Sequence, residues 1–226
     1  MRSYARRISL AIVSLCIATA SFVAQPAHAT RINVLIVGDS VASVLRWAPA
    51  SMKPLWAGTY NVTLETWGCQ KLLGPGCIES AKLSAYDQIV KHRDDGIDIV
   101  IVATGYNDTG AEFVRNAMHK INAEVKSQGA SLIWLTYREN GNVRFKNRAF
   151  NDVVKTESKK LHITLLDWEF IARKNKHWFT GDRVHMNKFG GLQLARNIKT
   201  ALDLKMGFIQ ASTTTTTTVI ATTIPS

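Results

Sequence analysis

The 226-residue sequence holds only three cysteines and no internal repeat. The missing repeat removes solenoid and propeller architectures. Cys16 falls in a leader-like stretch, which leaves Cys69 and Cys77. Two cysteines cannot enclose a metal without further ligands, and none stand near them in the chain. In an exported protein such a pair suggests a disulfide, and Gly74-Pro75-Gly76 between them can turn the chain back. Long apolar runs are lacking too. The uncharged stretch Ile8 to Val23 is shorter than the roughly 20 residues of a membrane span, so stable membrane insertion is not expected. Acidic residues are few: 17 Asp+Glu stand against 28 Lys+Arg, a net charge of +11.

What is present begins with a basic start (Arg2, Arg6, Arg7), the apolar stretch, and Ala27-His28-Ala29. That order is the pattern of a secretory signal peptide, residues 1–29, cleaved after Ala29. Bulky Leu15 ahead of Cys16 argues against lipidation there. Loss of the three arginines leaves about +8. Export to the medium or the cell envelope turns this charge away from nucleic acid and toward an anionic envelope or acidic glycans. A purely solubilising role is the plainer alternative. Residues 30–210 suffice for one core, and 46% hydrophobic with 20% charged residues suits a globular domain. The end, residues 211–226 with Thr213 to Thr218, has little to bury and reads as a disordered tail.

Between these ends, strands and helices alternate. Apolar or alternating runs at Ile32 to Val37, Tyr60 to Trp67, Ile97 to Ala103, Ser131 to Thr136 and Ile163 to Leu166 read as strands. Helical spacing covers Ser40 to Leu55 (with a break near Pro49), Ser80 to Arg93, Ala111 to Gln128, Arg144 to Leu161 and Gly190 to Met206. The expectation is a parallel sheet of about five strands covered on both faces, an α/β/α sandwich. Such a sheet gathers its ligand at the carboxyl ends of the strands.

Residues with chemical potential cluster at those ends. The first strand runs into Gly38-Asp39-Ser40, where a serine hydroxyl at a helix start meets a favourable field for developing negative charge. The third strand ends in Gly105-Tyr106-Asn107-Asp108, and the Asn107 amide is a neutral donor suited to an oxyanion. Gly68, after the second strand, lets a backbone N–H approach a ligand. A serine nucleophile needs a base. Asp182 and His185 stand three apart before the last helix, so the carboxylate can orient the imidazole. Taken singly, each has a plainer reading: Asp39 or Ser40 as a helix cap, the others as turn residues.

Taken together, the four blocks resemble the SGNH (GDSL-like) hydrolase family, whose name lists its Ser, Gly, Asn and His. Gly38-Asp39-Ser40 is similar to the nucleophile block, Gly68 to the glycine block, Gly105-Tyr106-Asn107-Asp108 to the Gly-x-Asn-Asp block, and Asp182-x-x-His185 to the final block. The resemblance runs over residues 32 to 205; Val41 departs from the leucine of the four-letter name. It implies a flavodoxin-like fold and a serine esterase of small acyl esters, O-acetyl groups among them, on small molecules or glycans. By the same resemblance Ser40 is the nucleophile, His185 the base and Asp182 its orienter. The Ser40 and Gly68 N–H groups and the Asn107 amide form the oxyanion hole. No cofactor is implied. An O-acyltransferase acting on cell-wall or other glycans, and a non-catalytic envelope-binding module of the same fold, are the competing readings.

Several further residues admit two readings. His177, with Asp182 and His185, forms a loose metal-ligand pattern, although no metal is expected. Trp168, Trp178 and Phe179 line a cleft or fill a core, and Arg138 and Arg183 meet an acidic substrate or sit on a solvated face. Asn61 and Asn107 both fit the N-glycosylation pattern; a glycan on Asn107 would remove the oxyanion donor, so that site is expected unmodified.

Overall fold

The computed structural model describes residues 31–52, 55 and 58–210. The expected signal peptide and the Thr-rich tail lie outside the described residues. Five parallel strands, β1 (Ile32–Gly38), β2 (Tyr60–Thr66), β3 (Ile99–Ala103), β4 (Ser131–Leu135) and β5 (Thr164–Leu166), form one sheet in the order β2-β1-β3-β4-β5. β3, the sequence Ile-Val-Ile-Val-Ala, is buried along its whole length. A strand covered on both faces has no polar side to alternate with.

The helices are α1 (Val44–Trp47), α2 (Ala85–Lys91), α3 (Ala111–Ser127), α4 (Arg144–Leu161), α5 (Trp168–Ala172) and α6 (Lys188–Lys205). Successive strand residues point to opposite faces, and two separate cores result. Val34, Ile36, Ile99, Ile101 and Ile133 pack with α1, α5 and α6 on one face. Leu35, Val37, Val100, Val102 and Trp134 pack with α2, α3 and α4 on the other. This is the expected three-layer α/β/α sandwich.

Two helices differ from expectation for local reasons. The helix expected over Ser40 to Leu55 stops at Trp47, because Pro49 lacks an N–H and holds Ala48 out of the helical region (φ −115°, ψ 57°). A separate 3-10 turn, Pro49–Ser51, follows. The helix expected from Ser80 begins only at Ala85. Ser84 accepts the Asp87 N–H while Asp87 reaches back to the Ser84 N–H, a capping box that sets the start.

The chain leaves β1 toward β2 and returns on the other side as β3. This switch in direction opens a crevice beyond the ends of β1 and β3. α6 can lie close to α1 there because Gly191 has no side chain: a Cβ on it would sit 2.5 Å from Val44 Cγ2. Gly191→Ala is therefore expected to overpack this contact and cost about 1–3 kcal/mol, read as a lower urea midpoint at unchanged slope.

Candidate active site

Gly38 ends β1, and the next residue, Asp39, is completely buried. One carboxyl oxygen accepts the Val41 N–H at 3.0 Å, a short turn of the cap kind. The other accepts the Gly105 N–H at 3.1 Å, the Tyr106 N–H at 3.0 Å and the Thr104 hydroxyl at 3.3 Å. Asp39 thus ties the end of β1 to the end of β3. Burial pushes its carboxyl up to about 6, while the three N–H groups and the hydroxyl pull the other way.

Ser40 follows in the turn before α1, and its Oγ lies 2.9 Å from His185 Nε2. On the far side of the ring, His185 Nδ1 is 2.5 Å from Asp182 Oδ2. That pairing assigns the ring proton to Nδ1 and turns the Nε2 lone pair to the serine hydroxyl. Asp182 Oδ1 is held in turn by the Val184 N–H, the His185 N–H and the Thr180 hydroxyl, each at 2.9 Å. Desolvation works against the charge. The hydrogen bonds from Val184, the His185 ring, the His185 N–H and Thr180 outweigh it and hold the Asp182 carboxyl well below the usual carboxylate range. Asp182 and His185 are half-exposed, so the dyad opens to solvent. A backbone bridge between Phe179 and Met186 closes this turn into a small hairpin.

Asn107 stands at the end of β3, beyond Gly105. Gly105 adopts φ +142°, and a Cβ on it would fall 2.3 Å from the Tyr137 hydroxyl, so no larger residue fits. The Asn107 amide donates to the Gln70 carbonyl at 3.1 Å, and that carbonyl also accepts the Thr104 hydroxyl at 3.0 Å. Gln70 directly follows the disulfide partner Cys69, which is joined to Cys77 with their Cα atoms 5.5 Å apart. Gly68 precedes Cys69. Thr66 pairs with Gly38 in register, and the Trp67 N–H continues the ladder to the Gly38 carbonyl at 2.8 Å. Gly68 therefore comes level with Ser40 at the strand ends.

Asp108, next to Asn107, is also buried and accepts the Leu72 N–H at 3.0 Å. Burial raises its carboxyl to about 6, with Asp39 adding to the rise, and Leu72, Lys71 and Lys146 opposing it. Lys146, from the first turn of α4, donates to the carbonyls of Tyr106 (2.5 Å) and Asp108 (3.3 Å), on either side of Asn107. Its half-buried position lowers its own tendency to hold a proton through desolvation, although Asp108 and Asp39 counter this.

Some expectations change. Arg138 is not on a solvated face but buried, where its guanidinium pairs with Glu169 at 3.3 Å and lies 4.6 Å from the Phe179 ring centroid. Trp168, Trp178 and Phe179 fill the core, with the two indoles stacked at 5.8 Å. Trp168 also walls a small apolar cavity with Val41, Ala42, Tyr106 and Met186, the chain neighbours of Ser40, Asn107 and His185. Among the described residues no three His, Cys, Asp or Glu side chains gather as metal ligands. The His177 ring packs instead 5.7 Å from the ring of Phe189. Asn61 is exposed, whereas the Asn107 amide nitrogen is engaged by Gln70. No helix among the described residues is long and apolar enough to cross a membrane.

Residues not singled out as functional from sequence complete the site. Gln70 acts through its backbone carbonyl, which no side-chain pattern announces. Lys146 lies 39 positions from Asn107 and only the packing of α4 brings them together. The Asp39 link to β3 has a sequence signal only in its place beside Ser40.

A serine, imidazole and carboxylate thus stand in line at the switch point of a 2-1-3-4-5 sheet, beside an amide donor. No protein-family model matches the chain, and no curated protein matches it. Solved structures do. A protein of Slackia heliotrinireducens described as an SGNH hydrolase superposes with a TM-score of 0.59 at 16% identity, over 76% of this chain and 99% of its own. A psychrotrophic esterase from Pseudoalteromonas sp., inhibited by monoethylphosphonate, gives 0.59 at 10% identity, over 77% and 98%. A catalytic mutant of an acetylxylan esterase from Geobacillus stearothermophilus gives 0.55 at 13%, over 76% and 94%. The chain has the fold of these proteins.

The buried carboxyls give a pH test. The folded value of Asp108, about 6, lies above the ordinary 3.8. Its contribution is therefore full below pH 3.8 and is lost as pH rises through 6; Asp39 acts in the same sense. Asp182, whose value is lowered, acts in the opposite sense and only below the ordinary carboxylate range. Wild-type stability is expected to fall between pH 4 and 7, and Asp108→Asn to remove about 2–3 kcal/mol of that fall. Urea midpoints at each pH check it, and parallel profiles for the two proteins contradict it.

Proposed function

We propose that this chain is an exported serine esterase acting on small acyl esters. One observation carries the reading: Ser40 Oγ stands 2.9 Å from His185 Nε2, and Asp182 holds the opposite ring nitrogen. Ser40 Oγ attacks the ester carbonyl carbon as its proton passes to His185 Nε2. The carbonyl oxygen becomes an oxyanion, met by the Ser40 and Gly68 N–H groups and by the second N–H of the Asn107 amide, the first being held by Gln70. Collapse breaks the ester bond, and the leaving alkoxide takes the proton from His185. Water then attacks the acyl-serine, giving its proton to His185, and the carboxylic acid departs with Ser40 restored.

Three further features support parts of this reading. Apolar side chains, among them Val41, Tyr106 and Met186, line a small recess beside the three blocks, apolar surroundings for an acyl group. The disulfide and the signal-like leader suit export. The fold is shared with esterases, including an acetylxylan esterase.

The test is covalent. A reactive phosphonate ester is expected to add its phosphonyl mass to Ser40 of the folded wild type and to leave Ser40→Ala unmodified. Wild type is expected to cleave p-nitrophenyl acetate faster than the octanoate ester, and Asn107→Ala to lower kcat by about 10²–10³. Absence of labelling favours a non-catalytic envelope-binding module. Acyl transfer to an added glycan faster than to water favours the transferase.

A further inference from the structure

The carboxyl edge of the sheet carries more positive charge than the triad uses. Lys71 comes from the loop after β2, Arg144 and Lys146 from the first turn of α4, and Arg183 from the Asp182–His185 turn. These segments converge on one place. Lys71 and Lys146 both act on the buried Asp108 carboxyl, and Lys146 clasps the carbonyls flanking Asn107. The loop that leads into α4 lies against the acid–base turn: the Asp182 carbonyl is 3.0 Å from where a Cβ on Gly141 would be. Arg144 and Arg183 are exposed.

Some cations elsewhere on the surface have carboxylate partners, as in Arg93–Glu124, Lys91–Glu65 and Lys199–Asp203. Lys71, Arg144, Lys146 and Arg183 have no ion pair among the described residues. The carboxylates near them are already committed: Asp182 to His185, Glu139 to Arg148 and Glu169 to Arg138. Lys71 and Lys146 share the one buried Asp108 carboxyl, and Arg144 and Arg183 have no carboxylate of their own among the described residues. The excess positive charge repels itself, and an anionic ligand relieves that repulsion while being drawn in by the field. Between Arg144 and Lys146 stands Phe145, 79% exposed. The Arg144 guanidinium lies 6.0 Å from the Phe145 ring centroid, and an exposed aromatic face beside a cation offers a resting place to a sugar ring whose substituents are negative.

We infer that the ester this site accepts is anionic: its acyl group is carried on a molecule, most fittingly a glycan, bearing carboxylate or phosphate groups near the ester. This rests on the esterase reading only for turnover; binding of the anion stands separately. The test therefore has a binding arm on Ser40→Ala. Oligogalacturonate (carboxylate) and a glycerol-phosphate oligomer (phosphate) are compared with neutral xylo-oligosaccharide, at low and high salt. At least one anion is expected to bind about tenfold or more tightly than the neutral chain, with affinity falling as salt rises. Which anion wins identifies the source. The triple variant Lys71→Met/Arg144→Gln/Arg183→Gln, made on the same background, is expected to lose that advantage.

The kinetic arm uses the otherwise wild-type triple variant. It is expected to lose about tenfold more in kcat/KM on acetylated polygalacturonate or its phosphate counterpart than it loses on neutral p-nitrophenyl acetate. Equal binding of charged and neutral chains, or an advantage that survives the triple variant, overturns the inference. Anion binding without turnover of any ester by wild type upholds it and overturns the esterase reading alone.

Discussion

The Asp39 carboxyl group is the constraint on which the site depends. Ser40 and Asn107 sit at the ends of different strands, 67 positions apart in the chain. Hydrogen bonds along β1 and β3 bring the strands side by side, but the ladder stops at Gly38 and Ala103. Beyond that point Asp39 takes over. It binds the N–H of its own turn and two consecutive N–H groups of the other strand end. In a water-excluded place such bonds to a carboxylate are strong and directional. The acid of the Gly-Asp-Ser block thus sets the placement of both Ser40 and the Asn107 segment.

Two other constraints complete the arrangement. The disulfide loop presents the Gln70 carbonyl, which fixes one N–H of Asn107 and leaves the other free to donate. Closing so short a loop limits the freedom of Gly68, Cys69 and Gln70 together. On the opposite side, the Thr180–His185 turn saturates one oxygen of Asp182 with three donors and leaves the other for His185. The imidazole orientation is thereby set before any substrate arrives, which is the condition for a low reorganisation cost.

Strands and the larger helices were legible because their signals are local. β3 is a continuous apolar run, and α3 ends at Gly129, whose φ of +74° suits the residue past a helix end. The site residues were legible only as a set, since Ser40, Asn107, Asp182 and His185 each pass for turn chemistry alone. Illegible were contacts made by the backbone or across long separations. Gln70 contributes a carbonyl, and any residue has one. Arg138 reads as a surface cation, yet Glu169 and the face of Phe179 receive it in the interior. The short length of α1 was half-visible, because Pro49 marks the break but not how tightly the chain turns after Trp47.

If Asp39 is the tie that aligns Ser40 with the Asn107 block, its loss must slow chemistry at Ser40 more than it loosens the fold. The measurement is the rate of Ser40 phosphonylation in Asp39→Asn, at a temperature where circular dichroism shows the variant fully folded. The account predicts a rate at least about 10²-fold below wild type, because an amide has one oxygen and cannot accept both the Val41 N–H and the Gly105 and Tyr106 N–H groups. A folded Asp39→Asn protein that is labelled at the wild-type rate would contradict it.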